Sequence, residues 1–147
     1  MDYLCLISNL PKSTTIRLPF YLLTPSGEPP LFKEGFVILD TGADNCAFSE
    51  QYLNRMGYTE IAPSGNKKQT GNGIVEIKTV SIQGLVLANQ FKISTLKVDV
   101  LSNWDNNRVV GVIGMDVLTR LTFIMSHDHG KFMLSAGSIP ELRQFFE

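Results

Sequence analysis

The 147-residue chain contains only two cysteines, two histidines and one tryptophan. Cys5 and Cys46 lie far apart and form no C-x-x-C pair, which excludes a zinc-ribbon or thioredoxin-type motif. They are expected to be two reduced thiols, with a single disulfide as the alternative. No charge of one sign dominates: 13 Lys and Arg against 14 Asp and Glu leave a net charge of −1, with no block of like charges. Nucleic-acid binding needs clustered cations and is not expected. Lys67-Lys68 is a local basic pair in a polar stretch. No apolar run approaches the ~20 residues of a membrane helix, and Met1-Asp2 leads into a short apolar patch with no basic region before it. The expectation is a cytoplasmic protein with no membrane association. No G-x-S-x-G or local Cys-His signature marks a nucleophilic hydrolase. His127 and His129 form an H-x-H at a turn with no second ligand pair, so they read as surface residues; no metal or cofactor is expected.

Apolar residues make up 44% of the chain, enough for a sizeable core in one domain spanning 1–147. They fall in runs of four to eight, rich in Val, Ile, Leu and Phe, between turn-formers. That is the pattern of short strands in a sandwich or barrel. Strands are expected over 4–8, 17–24, 36–39, 74–82, 91–100 and 109–113, with a hairpin from 121–125 and 131–134. Residues 24–30 hold five turn-formers in seven positions. Short helices are expected at 49–56, capped by Ser49 and ended by Gly57, and at 116–121. The tail from 140 to 147 suits one or two helical turns. Residues 63–73 read as polar and flexible, and 104–107 as a loop.

The apolar run ending at Leu39 meets Asp40-Thr41-Gly42-Ala43. A carboxylate at the end of a buried strand is costly unless it is hydrogen-bonded or reactive. A β-turn after a strand uses the same residues, so the tetrapeptide alone does not decide between the two. A second segment does: Val109-Val110-Gly111-Val112-Ile113-Gly114 lies some seventy residues downstream, with a helix pattern behind it. Between the two stands the glycine-rich Thr70-Gly71-Asn72-Gly73.

Strand-DTGA, glycine-rich hairpin and apolar-Gly-helix, in this order over 31–126, resemble the retropepsin-like aspartic proteases. The non-viral, single-domain members are the nearer likeness. The resemblance implies an all-β fold: a closed acid-protease barrel with one or two short helices, working as a symmetric homodimer on peptide or protein substrates. It implies a dyad of aspartates sharing one proton and activating a water. The chain holds one Asp-Thr-Gly, so the dyad needs Asp40 from two copies. By the same resemblance Asp40, Thr41 and Gly42 form the catalytic loop, and Thr41 fixes the partner's backbone across the twofold axis. Ala43, Asp44 and Ile113 contact substrate, as do Thr70, Gly71, Asn72 and Gly73 of a mobile flap. Met115 stands where viral members carry an arginine that pairs with the residue matching Asp44. Asp116 is expected to act as a favourable charge at a helix N-terminus. The Phe145-Phe146 pair suits a dimer interface. The alternative is a retropepsin-like dimerisation or peptide-binding module with little or no turnover.

Overall fold

The fold comes from a computed structural model that describes residues 4–12, 15–33, 35–70, 73–104, 108–137 and 139–146. Two parallel strand pairs lie among otherwise antiparallel ladders. Strand β1 (Leu4–Asn9) runs beside β12 (Lys131–Ala136), which also pairs with β11 (Thr122–Ser126) in a three-stranded antiparallel sheet. The remaining strands are β2 (Arg17–Leu22), β3 (Phe36–Leu39), β4 (Ala47–Ser49), β5 (Ala62–Thr70) and β6 (Gly73–Ile82). After them come β7 (Leu85–Leu87), β8 (Phe91–Ile93), β9 (Leu96–Leu101) and β10 (Val109–Ile113). These nine hydrogen-bond in the order β5-β6-β9-β4-β10-β3-β2-β7-β8.

Alternation explains which face each strand buries. Leu18, Phe20 and Leu22 of β2 point inward, as do Leu96, Val98 and Val100 of β9. Both ends of the strand order feed one cluster of buried side chains: Val80 and Ile82 from β6 meet Phe91 and Ile93 from β8, with Val37, Phe48 and Ile113 in the same cluster. Among the described residues no ladder joins β5 to β8. Helix α1 (Glu50–Arg55) starts where Ser49 accepts a hydrogen bond from the Tyr52 N–H, and Gly57 at φ +96° ends its last turn. Its Tyr52 ring packs on Phe20 and Phe48 with centroids 5.6 and 6.4 Å away. Helix α2 (Met115–Leu118) follows β10, and a 3₁₀ turn (Pro140–Leu142) leads into α3 (Arg143–Phe146).

Several expected elements shift. The stretch from 63 to 70 is strand rather than flexible loop: β5 pairs with β6 through a register shift between Pro63 and Lys67. The outer half of this ribbon is exposed on both faces, so it lacks the apolar alternation that marks a half-buried strand. The single strand expected over 91–100 breaks at Ser94 and Thr95 into β8 and β9. Strand β2 ends at Leu22 rather than Thr24, and α2 begins at Met115 and ends at Leu118, with turn hydrogen bonds continuing to Leu121. Strands β4 and β7, three residues each, were not foreseen. The loop expected at 104–107 lies outside the described residues except for Trp104, whose indole N–H donates to the Val109 carbonyl at 2.7 Å.

Candidate active site

Strands β3 and β10 lie parallel, with Val37 opposite Gly111 and Leu39 opposite Ile113. Parallel neighbours deliver their C-terminal ends to the same edge, so the chain leaves β3 at Asp40 beside the point where it leaves β10 at Gly114. The Asp40 N–H donates to the Ile113 carbonyl at 3.0 Å, which fixes the first residue of the loop to the neighbouring strand. A tight turn follows, closed by the Ala43 N–H on the Asp40 carbonyl at 3.2 Å. Within it the Gly42 N–H donates to Asp40 Oδ1 at 2.8 Å. A Cβ on Gly42 would sit 3.1 Å from that oxygen, so glycine permits the close approach. Asp40, Thr41 and Gly42 are nevertheless exposed: the carboxylate is oriented by the backbone and open to solvent or to another molecule.

The loop beyond the turn is held by the start of α2. The Met115 N–H donates to the Ala43 carbonyl at 2.8 Å, and the Asp116 N–H to the Asp44 carbonyl at 3.0 Å. The Asp116 carboxylate reaches back across seventy residues of sequence. It accepts the Cys46 N–H at 3.1 Å on each oxygen, the Cys46 thiol at 3.1 Å, and its neighbour Val117 N–H at 2.9 Å. Gly114 makes the approach possible, because a Cβ there would lie 2.7 Å from the Asn45 carbonyl and 2.8 Å from that of Ala43. Burial pushes the Cys46 thiol well above its ordinary range, and the negative Asp116 adds to the rise. Cys46 is therefore a neutral donor at physiological pH. Both cysteines are free thiols.

Asp116 is thus a tie between the loop after β3 and the second segment, beyond the helix-terminal charge the sequence suggested. Nothing within one sequence reveals the pairing with Cys46; the one available signal is an acid two residues after Gly114. Met115 is 36% exposed, and among the described residues no cation pairs with the exposed Asp44 carboxylate. Ala43 is half-buried. Ile113 lies in the core at 0% exposure, and its contribution at the site is the carbonyl that holds Asp40. The β5–β6 ladder runs out to Thr70 opposite Gly73, with Ile74 68% exposed just inside the tip. Gly71 and Asn72, and the side chain of Thr70, fall outside the described residues.

Asp40 and Thr41 border a depression of about 490 Å³ whose other walls include Leu39, Leu118, Phe123 and Met125. His127 and His129 are exposed on the turn between β11 and β12, where Ser126 Oγ lies 2.8 Å from His129 Nδ1. Among the described residues no three His, Cys, Asp or Glu side chains are grouped to hold a metal ion, and no helix is long and apolar enough to cross a membrane.

Asp40 is thus solvent-facing on a backbone-braced Asp-Thr-Gly turn, tied to the apolar-Gly segment of the parallel neighbour. A family model described as "gag-polyprotein putative aspartyl protease" matches residues 33–120, and the chain belongs to this retropepsin-like aspartic protease family. A retropepsin-like aspartic protease from Rickettsia conorii has a similar structure, at a TM-score of 0.66 and 16% identity over 92% of each chain. The retroviral protease-like domain of Ddi1 from Leishmania major gives a TM-score of 0.51 at 18% identity, covering 82% of this chain and 88% of that one. At these identities the likeness is one of fold. The mostly-β, retropepsin-like architecture stands on it. Comparison with curated protein sequences finds no significant match.

Proposed function

We propose that the whole chain, as one domain, is half of a homodimeric aspartic endopeptidase, in which Asp40 of two copies forms a single site. The observation that carries this reading is the Asp40 turn: a carboxylate held by the Gly42 N–H yet exposed, with one such turn per chain. Its surroundings support a second copy as the cover. Met125 of β11, 60% exposed, borders the same depression as Asp40, and among the described residues β11 is an edge strand.

In the assembled site two carboxyls lie close enough that they share one proton, since two like charges ~3 Å apart do not both ionise. The ionised Asp40 takes a proton from a water held between the pair, and the water oxygen bonds to the scissile carbonyl carbon. The protonated Asp40 hydrogen-bonds the carbonyl oxygen as negative charge develops there. Collapse of the tetrahedral intermediate breaks the C–N bond, and the amine leaves with a proton from the dyad. In this reading Thr41 braces the partner loop, Gly42, Ala43 and Asp44 line the cleft, and the β5–β6 hairpin, with Thr70, Gly71, Asn72 and Gly73 at its tip, covers the substrate.

The test is cleavage of a mixed peptide library by wild-type chain and by Asp40→Asn. Wild type should cut with a bell-shaped pH profile, insensitive to chelators and blocked by a statine-type hydroxyl that replaces the water. Asp40→Asn should unfold at the same temperature and cut nothing. Cleavage that survives the substitution would refute the assignment; a wild type that binds peptides without cutting them would point to a binding module.

A further inference from the structure

A depression of about 580 Å³ opens at the end of β3 and β10 opposite Asp40. Its walls include Phe36 and Val109, the register partners that begin the two strands. The four residues of β3, a span of ~13 Å, separate it from Asp40. It shares no lining residue with the depression beside Asp40. Lys33, Arg55 and Arg108 line it, all exposed, with no Asp or Glu among the described lining residues. The depression beside Asp40 is lined by no Lys or Arg. In a chain of net charge −1, this is a local concentration of positive charge. Rings brace two of the cations: Lys33 Nζ lies 4.3 Å from the Tyr21 ring centre, and the Arg55 guanidinium carbon 5.9 Å from that of Tyr52. Arg108 stands at φ +60°, where glycine or asparagine is the usual occupant. Such strained positions cluster at ligand sites. Trp104, its indole N–H donating to the Val109 carbonyl, adds an aromatic wall. Arg55 also borders a second depression of about 540 Å³, with Pro30, Leu31, Phe32 and Met56 in its walls. Leu31 is 97% exposed and Phe32 79%, so a bare apolar margin adjoins the cationic one.

We propose that the two depressions form one docking site for an acidic peptide segment that carries apolar side chains beside its carboxylates. Charge selects the acids: the ammonium and guanidinium groups of Lys33, Arg55 and Arg108 are donors only. The apolar margin selects the rest, because a partner that covers Leu31 and Phe32 removes from water a surface the fold leaves bare. A small inorganic anion would use the first depression alone. A bilayer would take up projecting side chains and leave a concave cationic pocket unfilled. An extended peptide advances ~3.3 Å per residue and can cross from one depression to the other. Binding of the segment stands independently of the protease reading; its use rests on that reading. In a dimeric endopeptidase the site would hold a protein substrate by a segment remote from the scissile bond, raising the effective concentration of that bond at the dyad.

The experiment titrates the Asp40→Asn chain into a short fluorescent peptide of Asp and Glu around a central Leu-Phe pair, and reads anisotropy. Binding should weaken as salt rises. It should fall at least about tenfold when the acids are replaced by Asn and Gln, and at least about threefold when the Leu-Phe pair is replaced by Ser. In the protein, Lys33→Glu combined with Arg108→Glu should lower affinity at least about tenfold at an unchanged thermal midpoint, since both side chains are exposed. Lys97→Glu makes the same kind of charge change outside both depressions and should leave affinity unaltered. Equal affinity for the acidic and amide peptides, or an undiminished double variant, overturns the docking site. Binding of ATP or of phosphatidylserine vesicles without binding of the peptide overturns it too. Wild type should cut a library peptide joined to the acidic segment at a lower KM than the same peptide alone; an equal KM overturns the role in substrate selection. A chain that binds the acidic peptide and cuts nothing refutes the protease reading and leaves the docking site standing. One that cuts library peptides and does not bind the acidic peptide does the reverse.

Discussion

At the scale of single residues, Asp116 and Cys46 do more for the site than their types suggest. Removing the Asp116 carboxylate leaves the N–H of the buried Cys46 unpaired, a loss of about 1–3 kcal/mol. Asp116→Ala should lower unfolding stability by that amount and reduce kcat more than KM, because the loop it seats carries Asp40. Asp116→Asn keeps one acceptor and should fall between. A stable Asp116→Ala with undiminished kcat would show that the loop needs no such tie. Cys46 makes a separate prediction about alkali. Its thiol is held neutral in the fold, whereas in the unfolded chain it ionises at its ordinary value of 9.0. Above pH 9 the unfolded state therefore binds fewer protons than the folded one, and stability falls as pH rises. The loss is about 1.4 kcal/mol by pH 10. Cys46→Ser keeps a donor for Asp116 but does not ionise in this range. Its thermal midpoint should fall less steeply between pH 8.5 and 10 than that of wild type; equal slopes would contradict the assignment. Burial raises Tyr58 in the same direction, a background shared by both proteins.

At the scale of elements, the site depends on how closely β10 and Gly114 approach β4 and the loop before it. Gly111 faces Phe48 across the ladder, and a Cβ there would lie 2.5 Å from the Phe48 ring and 2.7 Å from the Ala47 carbonyl. Phe48 is fully buried and has nowhere to move. Gly111→Ala should destabilise the protein by about 1–3 kcal/mol or more through overpacking, read by denaturant titration. An unchanged midpoint would mean that β4 is free to shift. The elements that flank the site were legible because they are apolar and bounded: β3 stops at Asp40, β10 stops at Gly114, and Ser49 and Gly57 bracket α1. What escaped has physical causes. Strand β5 is polar because it runs through solvent, and three-residue strands such as β4 and β7 are too short to show a period. The parallel pairing of β3 with β10 is a long-range contact that no local pattern encodes. The Asp-Thr-Gly turn could be read from sequence; the seating of that turn by Asp116 could not, because it joins residues seventy positions apart.

At the scale of the whole molecule, one chain supplies one Asp40 turn and an apolar margin beside it. The native mass should be near twice 16.3 kDa, and specific activity should decline on dilution as the pair dissociates. A strict monomer with undiminished specific activity would rule out a shared dyad. The most direct test of that shared site mixes wild-type chains with an equal amount of Asp40→Asn, lets subunits exchange, and verifies the exchange with a tag on one species. Random pairing leaves about a quarter of the dimers with two aspartates. Activity per total protein should then fall to about a quarter of the pure wild-type value, since a hybrid cannot form the one-proton carboxyl pair. A value near one half, with exchange demonstrated, would mean that each chain carries a complete site of its own.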